Sequence, residues 1–320
     1  MENSDYKTFV TNSKIRHLKE KTVIKNYYLV IGGGKVGTNF LEYAINNKFP
    51  FVLVVDRDKN APASRDAKVL KNESELVNLL KSRAASLPIK AELFPSLKQE
   101  REKINNEPKA YFYKMDIHHI PFLFTLGIPE YIIPAVPCHA VAYMLADLLE
   151  FPKQETGSKK IRNIAISELS IRPENSGLMS FFKNIEAVFP EDIIAGRYPE
   201  QGMLFFSYAR EGEICSDACP GPRESCPAFG REKPKTITEY AKELRLTIPG
   251  WVFESHQMKP GIGGLKGIEL KKNLLEILEF KRSFQENGNG KEFEKLESRI
   301  FFIATTCTCH GVLNLFYVTQ

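Results

Sequence analysis

The order of apolar and polar positions already divides the chain into strands and helices. Tyr27-Tyr28-Leu29-Val30-Ile31 is an unbroken apolar run, the pattern of a strand buried on both faces. It leads into Gly32-Gly33-Gly34-Lys35-Val36-Gly37, after which Phe40, Leu41, Tyr43, Ala44 and Ile45 recur at helical spacing. Phe51 to Val55 is the next apolar run and closes on Asp56. Together these form one strand, helix, strand unit of about thirty residues, the size of a parallel crossover. Residues 57–107 are charged, with one clear helix from Glu73 to Arg83. Ala110 to Met115 predicts a third strand. Ile120 to Leu126 predicts a short helix ended by Gly127, and Tyr131 to Val136 a fourth strand. Pro137 then opens an apolar helix to about Glu150, since proline suits a first helical turn. Ile161 to Ile166 reads as a fifth strand.

The second half is less regular. Met203 to Tyr208, Gly250 to Glu254, Arg299 to Ala304 and Val312 to Val318 read as strands, and Ile268 to Phe280 as a helix. Asn287 to Gly290 reads as a turn. The intervening Gly261-Ile262-Gly263-Gly264-Leu265-Lys266-Gly267 reads as a second glycine loop. It lacks the lysine-hydroxyl ending of a phosphate loop, and a structural role is favoured for it. Alternation of strands and helices in the first half predicts an α/β fold with a doubly wound, Rossmann-type parallel sheet, followed by a second α+β domain carrying a Cys-rich metal loop. The expected division is a polar lead-in at 1–26, a first domain at 27–167 and a second at 168–320.

Gly32, Gly34 and Gly37 form a G-x-G-x-x-G pattern between a strand and a helix. In this setting the first glycine permits the tight turn, the second lets a pyrophosphate approach the backbone, and the third lets helix and strand pack closely. The helix N-terminus offers free amides to the phosphates. Asp56, at the end of the second strand, is placed to accept hydrogen bonds from the adenosine ribose, which favours NAD over NADP; the adjacent Arg57 weakens that choice. These features predict a Rossmann-type dinucleotide-binding domain. The segments YYLVIGGGKVGTNFLEYA, FVLVVDRD and FLFTLGIPEYIIPAV resemble the N-terminal nucleotide-binding domain of potassium-uptake regulatory proteins over about 27–150. The resemblance departs at 57–107, which is longer. It implies dinucleotide binding and is shared, more loosely, with many dehydrogenases.

Composition changes this picture little. Of 320 residues 43% are hydrophobic and 26% charged, and the net charge is +5, with the basic residues interleaved among acids. That is a solvated surface and not a nucleic-acid footprint. The apolar stretch Ile120 to Leu149 is broken by Pro121, Pro129, Pro134 and Pro137, so no membrane span is expected, and the start MENSDYKTFV lacks the pattern of a secretory signal. A cytoplasmic location is expected. There the six cysteines stay reduced, as ligands or core residues and not as disulfides.

Five of those cysteines fall into two groups. Cys215, Cys219 and Cys226 lie in the Pro- and Gly-rich stretch CSDACPGPRESCP, and Cys307 and Cys309 lie beside His310. Three thiolates from the first group and one ligand from the second make a four-ligand metal site. Zinc and an iron–sulfur cluster both accept such a set, and Cys-Pro pairs tip the reading toward the cluster. A loop this poor in apolar residues also needs something other than core burial to fold. His139, just past the fourth strand, lies where ligands bind in open α/β sheets, so it is the candidate acid or base; the alternative is a hydrogen-bonded helix-start residue.

Two functions fit these residues. One is an NAD(P)-dependent oxidoreductase with an iron–sulfur cluster and either a small-molecule substrate or an electron-transfer partner. The other is a non-catalytic NAD-sensing regulator with a structural zinc. A homo-oligomer is compatible with either.

Overall fold

A computed structural model describes residues 3–85, 109–149, 176–210, 212–216, 219–287 and 300–317. The chain is a mixed α/β protein that divides into two compact units, one built mainly from His17–Pro137 and the other mainly from Cys138–Leu265 and Glu269–Gln320. The glycine loop lies in the unit built mainly from His17–Pro137.

The polar lead-in turns out to be helical. Helix α1 spans Asn3–Glu20, where Thr11, Ile15 and Leu18 recur about one turn apart and are buried. This stripe is too narrow to stand out among the surrounding Lys, Glu and Asn residues. Strand β1, Val23–Ile31, starts four residues before the apolar run. Asn26 interrupts it with a φ of 61°, and the pairing register shifts between Ile24 and Tyr28. Helix α2 spans Lys35–Asn46, β2 Phe51–Asp56, β3 Lys68–Val69, α3 Glu73–Ala85, β4 Ala110–Lys114, α4 Ile120–Phe124 and β5 Ile128–Pro134. The strand order is β3-β4-β2-β1-β5, and every neighbouring pair is parallel. Tyr27, Leu29, Val30 and Ile31 of β1, with Phe51 to Val55 of β2, are almost wholly buried, as continuous apolar runs require when both faces of a parallel sheet are covered. Phe40, Leu41 and Ala44 supply the buried face of α2.

The second unit contains α5 (Ala140–Leu148), α6 (Ser176–Glu186), β6 (Ile194–Tyr198), β7 (Met203–Ser207), the small strands β8 (Ser225–Cys226) and β9 (Arg231–Glu232), and α7 (Ile237–Leu244). It continues with β10 (Gly250–Lys259), β11 (Ile262–Lys266), α8 (Gly267–Asn287), β12 (Ile300–Thr306) and β13 (His310–Tyr317). Its sheet runs β11-β10-β12-β13-β7-β6. Only the β10–β12 pair within it is parallel; β11, β13, β7 and β6 pair antiparallel with their neighbours. One face carries Val252, Phe302, Ala304, Leu313 and Leu315 against Phe182 and Ile185 of α6 and Ile237, Ala241 and Leu244 of α7. Alternate positions on the strands turn the other way. There Trp251 and Phe301 meet Phe280 of α8, with ring centroids 5.3 and 5.6 Å apart.

The second glycine loop is a correction. Residues 262–266 form strand β11 of a hairpin with β10, turned at Gly261. A side chain at Gly263 would strike Ser255 Oγ at 2.1 Å, so glycine serves close packing there. The expected strand at 161–166 lies outside the described residues, as does the predicted turn beyond Asn287.

Candidate functional site

The three patterned glycines stand in three different surroundings. Gly32 has a φ of +104°, and a Cβ on it would lie 2.4 Å from Ala135 O. A Cβ on Gly37 would lie 1.9 Å from Gly32 O and 3.4 Å from a Val30 methyl, so this glycine lets α2 sit directly on β1. A Cβ on Gly34 would meet no described atom within 4 Å. The turn is thus pinned on both sides and open in the middle, at the N-cap of α2. Thr38 N donates to Gly34 O at 2.9 Å as the first helical bond. The amides ahead of it have no intrahelical acceptor, and no acid stands in the first turn to compete with an anion.

Asp56 closes on this turn. Its Oδ2 accepts from Gly33 N at 2.6 Å, and its Oδ1 from Asp58 N at 2.8 Å. Each carboxylate oxygen keeps a second lone pair that can accept a ribose hydroxyl. Gly33 O accepts in turn from Ala63 N at 3.0 Å, which ties the glycine loop to the segment after β2.

His139 is 6% exposed. Its Nδ1 lies 2.6 Å from Asn314 Oδ1 and its Nε2 2.9 Å from Thr305 Oγ1. With the Asn314 oxygen facing the ring, Nδ1 carries the proton and Nε2 accepts from the threonine hydroxyl. Burial pushes the imidazole pKa down to about 4, against a smaller opposing effect of the Asn314 bond. A neutral ring with both nitrogens engaged joins the start of α5 to β12 and β13. In this geometry no nitrogen is left over for a substrate.

The cysteine segment is folded by polar fastenings. Arg231 donates to Tyr208 O at 2.8 Å and grips the Glu213 carboxylate with both terminal nitrogens. The same arginine holds the Glu213 carboxyl down at about 2. Cys226 faces Arg231 across the β8–β9 pair. Lys233 N donates to Glu224 O at 2.8 Å. The segment ends at Thr236, which forms a capping box with Glu239 at the start of α7. The β12–β13 hairpin approaches from the other side. Thr308 Oγ1 donates to Gly221 O at 3.0 Å, and Tyr208 N to Cys309 O at 3.1 Å.

These contacts bring the two cysteine groups together. The Cys215 thiol is pushed up first by burial and then by the thiols of Cys219, Cys226 and Cys309, and it hydrogen-bonds Cys219. The Cys219 sulfur accepts Gly221 N at 3.4 Å. Cys226 and Cys309 are 4% and 7% exposed. Cys307 and His310 close the hairpin instead. Cys307 N donates to His310 O at 2.8 Å, His310 N points at the Cys307 sulfur at 3.3 Å, and the His310 side chain is exposed. All six cysteines are free thiols. Among the described residues no three His, Cys, Asp or Glu side chains close on one point as ligands of a single ion.

One residue beside the thiols had no signal in the sequence. Lys233 is 5% exposed, and its ammonium donates to Cys309 Sγ at 2.8 Å and to Pro222 O at 2.6 Å. It also stands 5.6 Å from the centre of the Tyr208 ring. No carboxylate among the described residues pairs with it.

Residues 162–319, which hold both cysteine groups, match a family described as "Uncharacterized protein, C-terminal domain". The chain is also similar to an uncharacterized protein of Archaeoglobus fulgidus, at 25% identity over 287 residues, covering 89% of this chain and 97% of that one. No solved structure matches the chain. Among the described residues no helix is long and apolar enough to cross a membrane.

Proposed function

We propose that the unit from His17 to Pro137 is a Rossmann-type domain that binds NAD, and that the chain is a redox protein carrying a cysteine-ligated iron–sulfur cluster in its other unit. The observation that carries the nucleotide half is the contrast among the three glycines. Gly32 and Gly37 are closed to any side chain, and Gly34 faces open space at a helix N-terminus. This is the arrangement a pyrophosphate needs. The strand order β4-β2-β1-β5 and the Asp56 carboxylate beside the loop agree with it. The metal half rests on the spacing of the two cysteine groups and on their approach at Gly221, whose N donates to the Cys219 sulfur at 3.4 Å and whose carbonyl accepts from Thr308, the neighbour of Cys309, at 3.0 Å. When bound, an iron–sulfur cluster supplies one-electron transfer at such a site.

The buried, fully engaged His139 favours a second reading, a non-catalytic NAD-sensing protein with a structural zinc. Full-length protein purified without oxygen separates the two. NAD at about 100 times its Kd is expected to stabilise the protein by roughly 2.7 kcal/mol, read as a rise in Tm. The redox reading further expects NADH to be oxidised to NAD, with the two electrons passing to an artificial acceptor and a proton released. Binding without turnover, in a colourless zinc-loaded protein, would establish the sensor. No Tm shift with NAD or NADP would remove the nucleotide half.

A further inference from the structure

We infer that Lys233 and Cys309 form a covalent modification site, in which dioxygen joins the lysine nitrogen to the cysteine sulfur through a single oxygen atom. The inference goes beyond the proposed function and does not rest on it: a metal held through Cys307 or His310 leaves Cys309 to this chemistry. The distance carries it. Two backbone nitrogens approach sulfurs in the same region. Gly221 N stands 3.4 Å from the Cys219 sulfur and His310 N 3.3 Å from the Cys307 sulfur, both as hydrogen-bond donors. Lys233 Nζ stands 2.8 Å from Cys309 Sγ, closer by about half an ångström. A direct bond between heavy atoms at sulfur is shorter still, about 2.0 Å in a disulfide. The two side chains are therefore too close for a relaxed hydrogen bond to sulfur and too far apart for a direct bond. One bridging atom fits the gap.

Burial and backbone hold the pair in this position. Lys233 is 5% and Cys309 7% exposed. A lysine is almost never buried this far unless paired. The other basic residues around the loop take carboxylates: Arg231 with Glu213, Arg223 with Glu239 and Lys235 with Glu243. Lys233 has the Pro222 carbonyl at 2.6 Å, the Tyr208 ring and the Cys309 sulfur. Its own N donates to Glu224 O, and Cys309 O accepts from Tyr208 N. Groups fixed at near-contact distance react as one unit, at effective concentrations far above those of free amines and thiols. Burial also withholds the further oxidant that carries an exposed sulfenic acid on to the sulfinic acid.

Counted as amine and thiol, the pair is neutral, and the step balances with one molecule of dioxygen. One N–H bond, the S–H bond and the O–O bond break. An N–O bond, an O–S bond and two O–H bonds form. Nitrogen and sulfur each lose two electrons, and dioxygen takes up all four. One of its atoms becomes the bridge, and the other leaves as water with the two hydrogens. Excess dithiol reverses the step by returning four electrons and four protons, and the bridging oxygen then leaves as water. The link closes 76 positions of sequence, from the end of β9 to the turn between β12 and β13. Oxidation thus fastens the cysteine segment to the hairpin, as a disulfide would.

The test uses the full-length protein, purified with reductant in the absence of oxygen and then exposed to air. Intact mass is read under denaturing conditions without reductant. Most chains are expected to gain about 14 Da, one oxygen less two hydrogens, and to lose it again in excess dithiol. Digestion is expected to yield a cross-linked pair of peptides that hold Lys233 and Cys309. Lys233→Met and Cys309→Ser are each expected to show no such gain, and Cys307→Ser to keep it. Should either of the first two fail to fold, as judged by circular dichroism, the cross-linked peptides of wild type still decide. An unchanged mass in air overturns the inference. So does a gain of about 16 or 32 Da, a sulfenic or sulfinic acid, or a loss of about 2 Da, a disulfide or a direct nitrogen–sulfur bond. The same gain in Lys233→Met overturns it too. Metal content and the NAD-induced Tm shift of the same protein report on the proposed function separately, so either reading can fail while the other stands.

Discussion

Placing one methyl group at Gly34 and at Gly37 separates what the glycine loop does for the fold from what it does for a ligand. Gly34 has φ −75° and ψ −161°, backbone that any residue adopts, and no described atom lies within 4 Å of the added carbon. Alanine there loses about 0.5–1 kcal/mol as an N-cap and regains about 0.4–1 kcal/mol from a stiffer unfolded chain. Gly34→Ala is therefore expected to leave stability within about 0.5 kcal/mol of wild type. A bound pyrophosphate would meet the same methyl at close range. Overpacking of this kind costs roughly 1–3 kcal/mol, which weakens binding by about 5- to 150-fold. Gly37→Ala reverses the pattern. Its carbon would sit 1.9 Å from Gly32 O, and backbone cannot step aside cheaply, so a stability loss of about 1–3 kcal/mol is expected before any ligand is added. Urea unfolding gives the stability arm and calorimetric titration with NAD the binding arm. A Gly34→Ala protein that binds NAD as tightly as wild type would refute the argument, and so would one that unfolds.

Other outcomes follow from buried groups. His139 falls from 6.5 to about 4 on folding, so the unfolded chain takes up the proton first. Stability from this residue is complete above about pH 6.5 and is lost as pH falls toward 4, a swing of roughly 3 kcal/mol. Urea midpoints at several pH values should show that slope in wild type and a shallower one in His139→Leu; equal slopes would exclude the histidine as its source. Tyr27 is wholly buried, and its hydroxyl has no hydrogen-bond partner among the described residues. Removing an unpaired buried hydroxyl relieves a desolvation cost of about 1–3 kcal/mol, so Tyr27→Phe should raise Tm, and a fall would reveal a partner for the hydroxyl.

The parallel unit was legible because continuous apolar runs and glycine punctuation are strong local signals. The Phe51–Asp56 strand, the Glu73 helix start and the Ala110 strand start fall where the pattern put them. The failures have local causes too. Helix α1 buries Thr11, Ile15 and Leu18 in a charged stretch, and tertiary packing supplies what periodicity does not show. In β11, closely spaced glycines read as a loop with a structural role favoured; the element is a strand, and Gly263 leaves room there for the Ser255 side chain of β10. A glycine run records only that a side chain is unwelcome. Whether a ligand or a neighbouring residue excludes it depends on what the rest of the chain places nearby.

The same distinction applies to charge. Sequence can show that five cysteines and a histidine cluster, because their spacing is local. It does not show which of Cys307 and Cys309 meets Lys233, because the three-residue turn between β12 and β13 decides that, and it places Cys309 there. Nor can it single out Lys233 among 44 basic residues, since only burial turns an ordinary lysine into a demand for an anion. That demand does not rest on the Cys spacing. A solvated lysine needs no protein partner, whereas Lys233, which is 5% exposed, has its side-chain nitrogen met by Pro222 O at 2.6 Å and Cys309 Sγ at 2.8 Å. The cation and the thiols were identified by different physical criteria, and they meet at one sulfur.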